Sequence, residues 1–121
     1  MARDAGSSRR SGRPHPSLRG RTSFAEVRRR GSRRSVGKLA VLVAAGPPGP
    51  PRVGFVAGKR LGGAVARNRA KRRLRQAMAQ VALPPGTRFV VIAQEGVNEV
   101  PFDRLVEWLE QAVAVGGTVR P

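Results

Sequence analysis

The 121 residues carry 24 Lys and Arg against 7 Asp and Glu, a formal net charge of +17. That length holds one domain and excludes a large multidomain enzyme. With no Cys, disulfides, thiolate zinc sites and cysteine nucleophiles are excluded together, and 4% aromatics exclude a broad aromatic binding surface.

Residues 1–22 are rich in Arg, Ser, Gly and Pro without apolar periodicity, and read as a disordered basic tail. Arg9-Arg10 lacks the apolar segment that a twin-arginine signal requires. His15, the only histidine, falls in this tail and reads as solvated. A single domain is expected over 23–116, with 117–121 as a C-terminal tail. Ser23 is placed to cap a short helix from Phe24 to Arg30, with Glu26 in its first turn and Gly31 as its stop. Lys38 to Ala44 reads as a buried strand. The longest apolar run, Leu39 to Ala45, is too short to span a bilayer. Gly46-Pro47-Pro48-Gly49-Pro50-Pro51 breaks regular structure, and Arg52 to Ala57 follows as a second strand, so a hairpin of these two strands is expected.

A loop over Gly58 to Gly63 carries Lys59 and Arg60. It is not a phosphate-binding Walker loop, because the second Gly and the Lys-Ser/Thr pair are misplaced. A helix is predicted from Ala64 to Val81, a third strand from Thr87 to Ala93, and a last helix from Pro101 to Val115. In that last helix Phe102, Leu105, Val106, Leu109, Ala112 and Val113 form one apolar stripe, flanked by Trp108 at the edge of the core. The order α-β-β-α-β-α gives an α+β fold, an α/β sandwich of one sheet packed on helices.

The charge is segregated. Residues 59–75 hold eight Lys and Arg and no acid, whereas 88–121 hold three Arg and five acids. A uniform compositional bias would not do this. On the long helix Ala66, Ala70, Leu74, Ala77 and Val81 share a sector of about 80° and form the buried face. Asn68, Arg72 and Arg75 point the opposite way, with Arg69 and Arg73 on one flank, Lys71 on the other and Arg67 near the apolar edge. Like charges at these spacings repel, so a polyanion is expected to compensate them. Arg forks bind phosphate in bidentate fashion, and Asn68 offers a donor and an acceptor to a 2′-hydroxyl or a base edge. Neutralising ~6–8 phosphates implies a slope of log K against log salt of about −4 to −7. Catalytic chemistry is another matter. The basic segment has no general acid or base, and Glu95, Glu99, Asp103, Glu107 and Glu110 bind a metal only if they converge in space.

The stretch Arg52-Val53-Gly54-Phe55-Val56-Ala57-Gly58-Lys59-Arg60, followed by Gly63-Ala64-Val65-Ala66-Arg67-Asn68-Arg69-Ala70-Lys71-Arg72-Arg73-Leu74-Arg75-Gln76-Ala77, resembles the signature of the bacterial ribonuclease P protein component, with its Arg-Asn-Arg core. The resemblance covers roughly 23–115. It implies a ribosomal-protein-like domain with a left-handed βαβ crossover, and a cytoplasmic subunit that works with a catalytic RNA and Mg²⁺ to remove the 5′ leader of precursor tRNA. By the same resemblance catalysis lies in the RNA, no catalytic residue lies in the protein, and no membrane or obligate protein partner is involved. Lys59, Arg60, Arg67, Asn68, Arg69, Lys71, Arg72, Arg73 and Arg75 are then the RNA-binding set. Phe24, Arg28 and Leu42 fall at the leader cleft. Arg28 and Leu42 stand near places where the family often has aromatics, which implies leader contacts that are more electrostatic and less stacking. Gly63 stands where an Asn before the helix is common. The alternative from another class is a ribosomal or other structural RNA-binding protein without catalysis. A DNA architectural role lacks an evident dimerisation stripe or β-arm.

Overall fold

A computed structural model describes residues 15–119. Most of the predicted basic tail (1–14) and residues 120–121 lie outside that range. The elements are helix α1 (Arg21–Arg30), strands β1 (Ser32–Val36), β2 (Leu39–Ala45) and β3 (Arg52–Ala57), a 3₁₀ turn (Lys59–Leu61), helix α2 (Ala64–Met78), strand β4 (Thr87–Ala93), a second 3₁₀ turn (Val97–Glu99) and helix α3 (Phe102–Val119). The α+β class holds, with one strand more than the sequence reading supplies.

The sheet order is β1-β2-β4-β3. Strands β2 and β4 are the two most apolar, and they take the two central places. They pair antiparallel from Leu39 opposite Ala93 to Ala45 opposite Thr87. Strand β3 pairs parallel with β4 on its other side. The expected hairpin of β2 and β3 therefore does not form, because β4 lies between them. The Pro-rich segment is the bridge over β4's start. There Gly86, at φ 73°, donates its N–H to Gly49 O (2.8 Å) and accepts from Gly46 N (2.9 Å).

The hairpin that does form joins β1 to β2 through Gly37, whose φ of 58° suits glycine. The Trp108 ring lies so close that a Cβ on Gly37 would sit 2.3 Å from it. Gly31 closes α1 as expected, its N–H donating to Val27 O at 2.7 Å. A side chain there would meet the carbonyl oxygens of Val27 and Val43 at 2.6 and 2.8 Å. The helix begins at Arg21 behind Gly20, so Ser23 is not its cap and Glu26 is not in its first turn.

Contacts with the sheet also begin before Ser23. Residues 16–18 run along the β3 edge: Val53 N donates to Pro16 O (2.9 Å) and Leu18 N donates to Val53 O (3.0 Å). Leu18 is buried beside Val27, Leu42, Ala44 and Val90 under α1. The opposite face of the sheet carries α2 and α3 over the larger core, where Leu39, Val41, Phe89 and Val91 meet Leu74, Met78, Leu105 and Leu109. Strand alternation separates the two faces. The predicted α3 stripe is the one that packs, with Leu105, Leu109, Ala112 and Val113 buried.

Candidate nucleic-acid interface

Helix α2 sits on the sheet through Ala70, Leu74, Ala77 and Met78. Ala70 and Ala77 are small enough to bring its axis close to the strands. The helix stops at Met78, three residues earlier than predicted, and the chain continues in a turn that still buries Val81. Neither side chain nor acid assists its first turn, because Gly63 occupies the N-cap. Asn68, Arg69 and Arg72 are exposed, while Arg67 and Lys71 are half-buried. Among the described residues the ion pairs are Arg88–Glu26 and Arg104–Glu107, so Arg67, Arg69, Lys71 and Arg72 have no acidic partner. The ridge is an uncompensated row of cations on a rigid element.

Lys59 and Arg60 are exposed in the 3₁₀ turn before α2. Together with Lys38 they border a groove of about 580 Å³ at the ends of β3 and β4, floored by Val56 and Ile92. Lys38 comes from the β1–β2 turn. Sequence spacing gave no sign of it, since its place beside Lys59 depends on the β2–β4 pairing.

Two members of the predicted RNA-binding set are diverted. Arg73 turns back into the fold: Nη1 donates to Val97 O at 3.0 Å and Nη2 donates to Val100 O. Burial, with the Arg69 guanidinium nearby, draws its pKa below the ordinary arginine value. Asn98 Nδ2 donates to Ala66 O at 3.0 Å, so the 97–100 turn is fastened to α2 at two points. Arg73 is thus a bracket and not a phosphate fork. Arg75 lies over the Phe55 ring, its guanidinium carbon 5.3 Å from the centroid, and leaves the ridge toward the β3 edge.

The predicted cleft residues separate as well. Leu42 is 4% exposed, covered by α1, and offers no surface to a ligand. Phe24 is half-buried with its ring laid on Gly54, and Arg28 is exposed in the last turn of α1. The helix itself is tied to the sheet by Arg88. Its Nη1 donates to Glu26 Oε1 at 2.6 Å while Nε donates to Ala45 O at 2.8 Å. That guanidinium holds the Glu26 carboxyl below its usual 4.5.

His15 is not solvated. Its Nε2 lies 3.1 Å from both Met78 O and Val81 O, at the carbonyl end of α2. A five-residue polar context carries no periodicity, so nothing in the sequence signals this. Among the described residues no three His, Cys, Asp or Glu side chains converge as a metal cage would need. No described helix is long and apolar enough to cross a membrane.

A family model described as Ribonuclease P matches residues 13–115. The Ribonuclease P protein component of Clavibacter michiganensis subsp. michiganensis is 40% identical over 105 residues, spanning 82% of this chain and 91% of its own. That of Streptomyces avermitilis is 40% identical over 116 residues, spanning 85% and 94%. Among solved structures, the RNase P protein from Thermotoga maritima has a TM-score of 0.71 at 26% identity, over 80% of this chain and 94% of that one. The RNase P protein of Staphylococcus aureus shares the fold, with a TM-score of 0.70 at 19% identity over 82% and 93%.

Proposed function

The chain belongs to the bacterial ribonuclease P protein family, and from that membership we infer that it is the protein subunit of this tRNA 5′-processing endoribonuclease. It pairs with the catalytic RNA and binds precursor tRNA. The relatives do not favour a ribosomal or other structural RNA-binding role. One domain, from His15 into α3, carries both surfaces, and the assembled enzyme works in the cytoplasm.

The observation that carries the residue-level reading is the unpaired ridge of α2. Arg67, Asn68, Arg69, Lys71 and Arg72 stand on a helix whose other face is locked into the core, so they are held in place without an internal counter-charge. Phosphates of the catalytic RNA supply that charge, and guanidinium forks suit them. Lys59 and Arg60 extend the same surface. The leader crosses the sheet face beside α1, between Phe24 and Arg28 on one side and the groove of Lys38, Lys59 and Arg60 on the other. Val56 and Ile92 give it an apolar floor, and cations rather than a row of rings hold it.

Mg²⁺ belongs with the RNA. Among the described residues no carboxylates converge to cage it. What the protein does is lower RNA–RNA repulsion with fixed cations, and so reduce the Mg²⁺ that the complex needs.

The test is 5′-leader cleavage of precursor tRNA at low Mg²⁺, with the host's catalytic RNA alone, this protein alone, and both together. Cleavage is expected only with both. Tight RNA binding without any enhancement would refute the subunit reading.

A further inference from the structure

The ring that Arg75 covers borders a second, smaller cavity, at the β3 edge. It encloses about 270 Å³ between His15, Ser17, Val53, Phe55, Arg75 and Met78. Val53, Phe55 and Met78 make its walls apolar. Arg75 places a planar cation over its aromatic side.

The polar groups are specific in what they leave open. His15 Nε2 faces two carbonyl oxygens, which only accept, so Nε2 carries the hydrogen. On the neutral ring Nδ1 is then an acceptor, and it has no partner among the described residues. The Ser17 hydroxyl likewise has none. An apolar enclosure with an aromatic ring, a flat cation and an open acceptor suits a flat heterocycle bearing an N–H, and suits a phosphate poorly.

We propose that this cavity takes an unpaired nucleobase from the RNA strand bound along α2, stacking it against Arg75 and Phe55 with an N–H directed to His15 Nδ1. The position fits the strand's path. Arg75 lies at i+3 and i+4 from Arg72 and Lys71, so it is the next side chain along the cationic face. A strand whose phosphates follow the ridge arrives at this cavity with a base to place. Guanidinium planes and aromatic rings are the usual platforms for such splayed bases. The proposal rests on the RNA-binding reading of α2, and its test is separable from it.

The test titrates the full chain with the four nucleoside 5′-monophosphates and with ribose 5-phosphate, reading the Phe55 ring and His15 imidazole resonances by NMR. Nucleotides are expected to move both sets saturably, and ribose 5-phosphate to move neither while shifting α2 signals. Equal shifts from ribose 5-phosphate, or none from any nucleotide, would overturn the proposal. So would a base-dependent shift seen only after removal of residues 1–14, since that segment would then be the occupant.

Arg75→Lys gives a second readout, because it keeps the charge and removes the plane. Affinity for the catalytic RNA should fall on the order of tenfold, the loss of one stacked base, with the salt slope unchanged. Unaltered affinity would count against stacking. If the pocket tests fail while protein-dependent precursor cleavage persists, the pocket alone is wrong. If wild-type protein gives no cleavage enhancement, the subunit reading is wrong.

Discussion

Replacing Gly54 by Ala isolates the contact that sets the sheet face under α1. A Cβ on Gly54 would sit 2.4 Å from Phe24 Cζ and 2.7 Å from Cε2. Carbon atoms rest at about 3.5–4.0 Å, so the ring must retreat by roughly 1.1–1.6 Å. Overpacking of that kind costs about 1–3 kcal/mol. The half-exposed ring has somewhere to go, which puts Gly54→Ala near the lower end, about 1–2 kcal/mol. In a Phe24→Ala background the obstacle is gone, and Ala suits a strand better than Gly by about 0.5–1 kcal/mol. The same substitution should then be neutral or stabilising, a coupling of at least ~1 kcal/mol. Urea denaturation of the four proteins of the cycle measures it. An equal cost of Gly54→Ala in both backgrounds would refute the reasoning, since the penalty would then not come from the ring. A functional corollary is that Gly54→Ala should weaken leader-bearing precursor more than mature tRNA if the leader follows the path proposed above, because the displaced ring would enter it.

Other outcomes follow from neighbouring contacts. Arg73→Ala should cost about 1.5–3 kcal/mol of stability through its two lost charged hydrogen bonds, whereas Arg72→Ala should change stability by less than ~0.5 kcal/mol and weaken RNA binding instead. Urea melts and RNA titrations on both variants separate the bracket from the ridge. Combined Arg67→Ala and Arg69→Ala should weaken catalytic-RNA binding and reduce the steepness of its salt dependence by about 1.5, and an unchanged slope would place the phosphates elsewhere. Glu26 is held below its usual 4.5, so its contribution is full above the unfolded value and is lost as pH falls through the lower folded value. The stability gap between wild type and Glu26→Gln should therefore be present at neutral pH and close below pH 4.5; a gap that persisted in acid would point to packing and not to charge.

The elements that the sequence announces are those whose own periodicity meets the core. The α3 stripe, the Ala70, Leu74 and Ala77 part of the α2 stripe, and the apolar runs of β2 and β4 are read correctly, because each packs on the core what its spacing groups together. Strand β1 has no such signal. Ser32-Arg33-Arg34-Ser35-Val36 becomes a strand because the Gly37 turn lays it on β2, a tertiary reason that composition does not contain. Strand order fails for a related cause: two strands adjacent in sequence invite a hairpin, and only the joint apolarity of β2 and β4 makes the interposed order better. At the interface, helical angles place Asn68, Arg69 and Arg72 well. They misjudge Arg73 and Arg75, whose directions are set by carbonyls of the 97–100 turn and by Phe55. Leu42 shows the reverse error, since its depth depends on where α1 comes to lie. His15 depends on the end of a helix more than sixty residues away.

The two rims of the sheet are finished differently, and that difference bears on how free copies of the chain behave before RNA arrives. The β3 rim is sealed by Pro16 to Leu18, which leaves a proline and a single bridge where another strand would have to dock. The β1 rim carries Arg33 and Arg34, and among the described residues nothing pairs with it. A second copy aligning there would set its backbone about 5 Å away and bring the exposed Arg33 beside a like charge. Electrostatic dispersal of the unassembled pool is thus written into the same residue type that captures the polyanion. It also has a foreseeable point of failure. Short anionic fragments that neutralise the arginines without organising them would remove the repulsion that guards this edge.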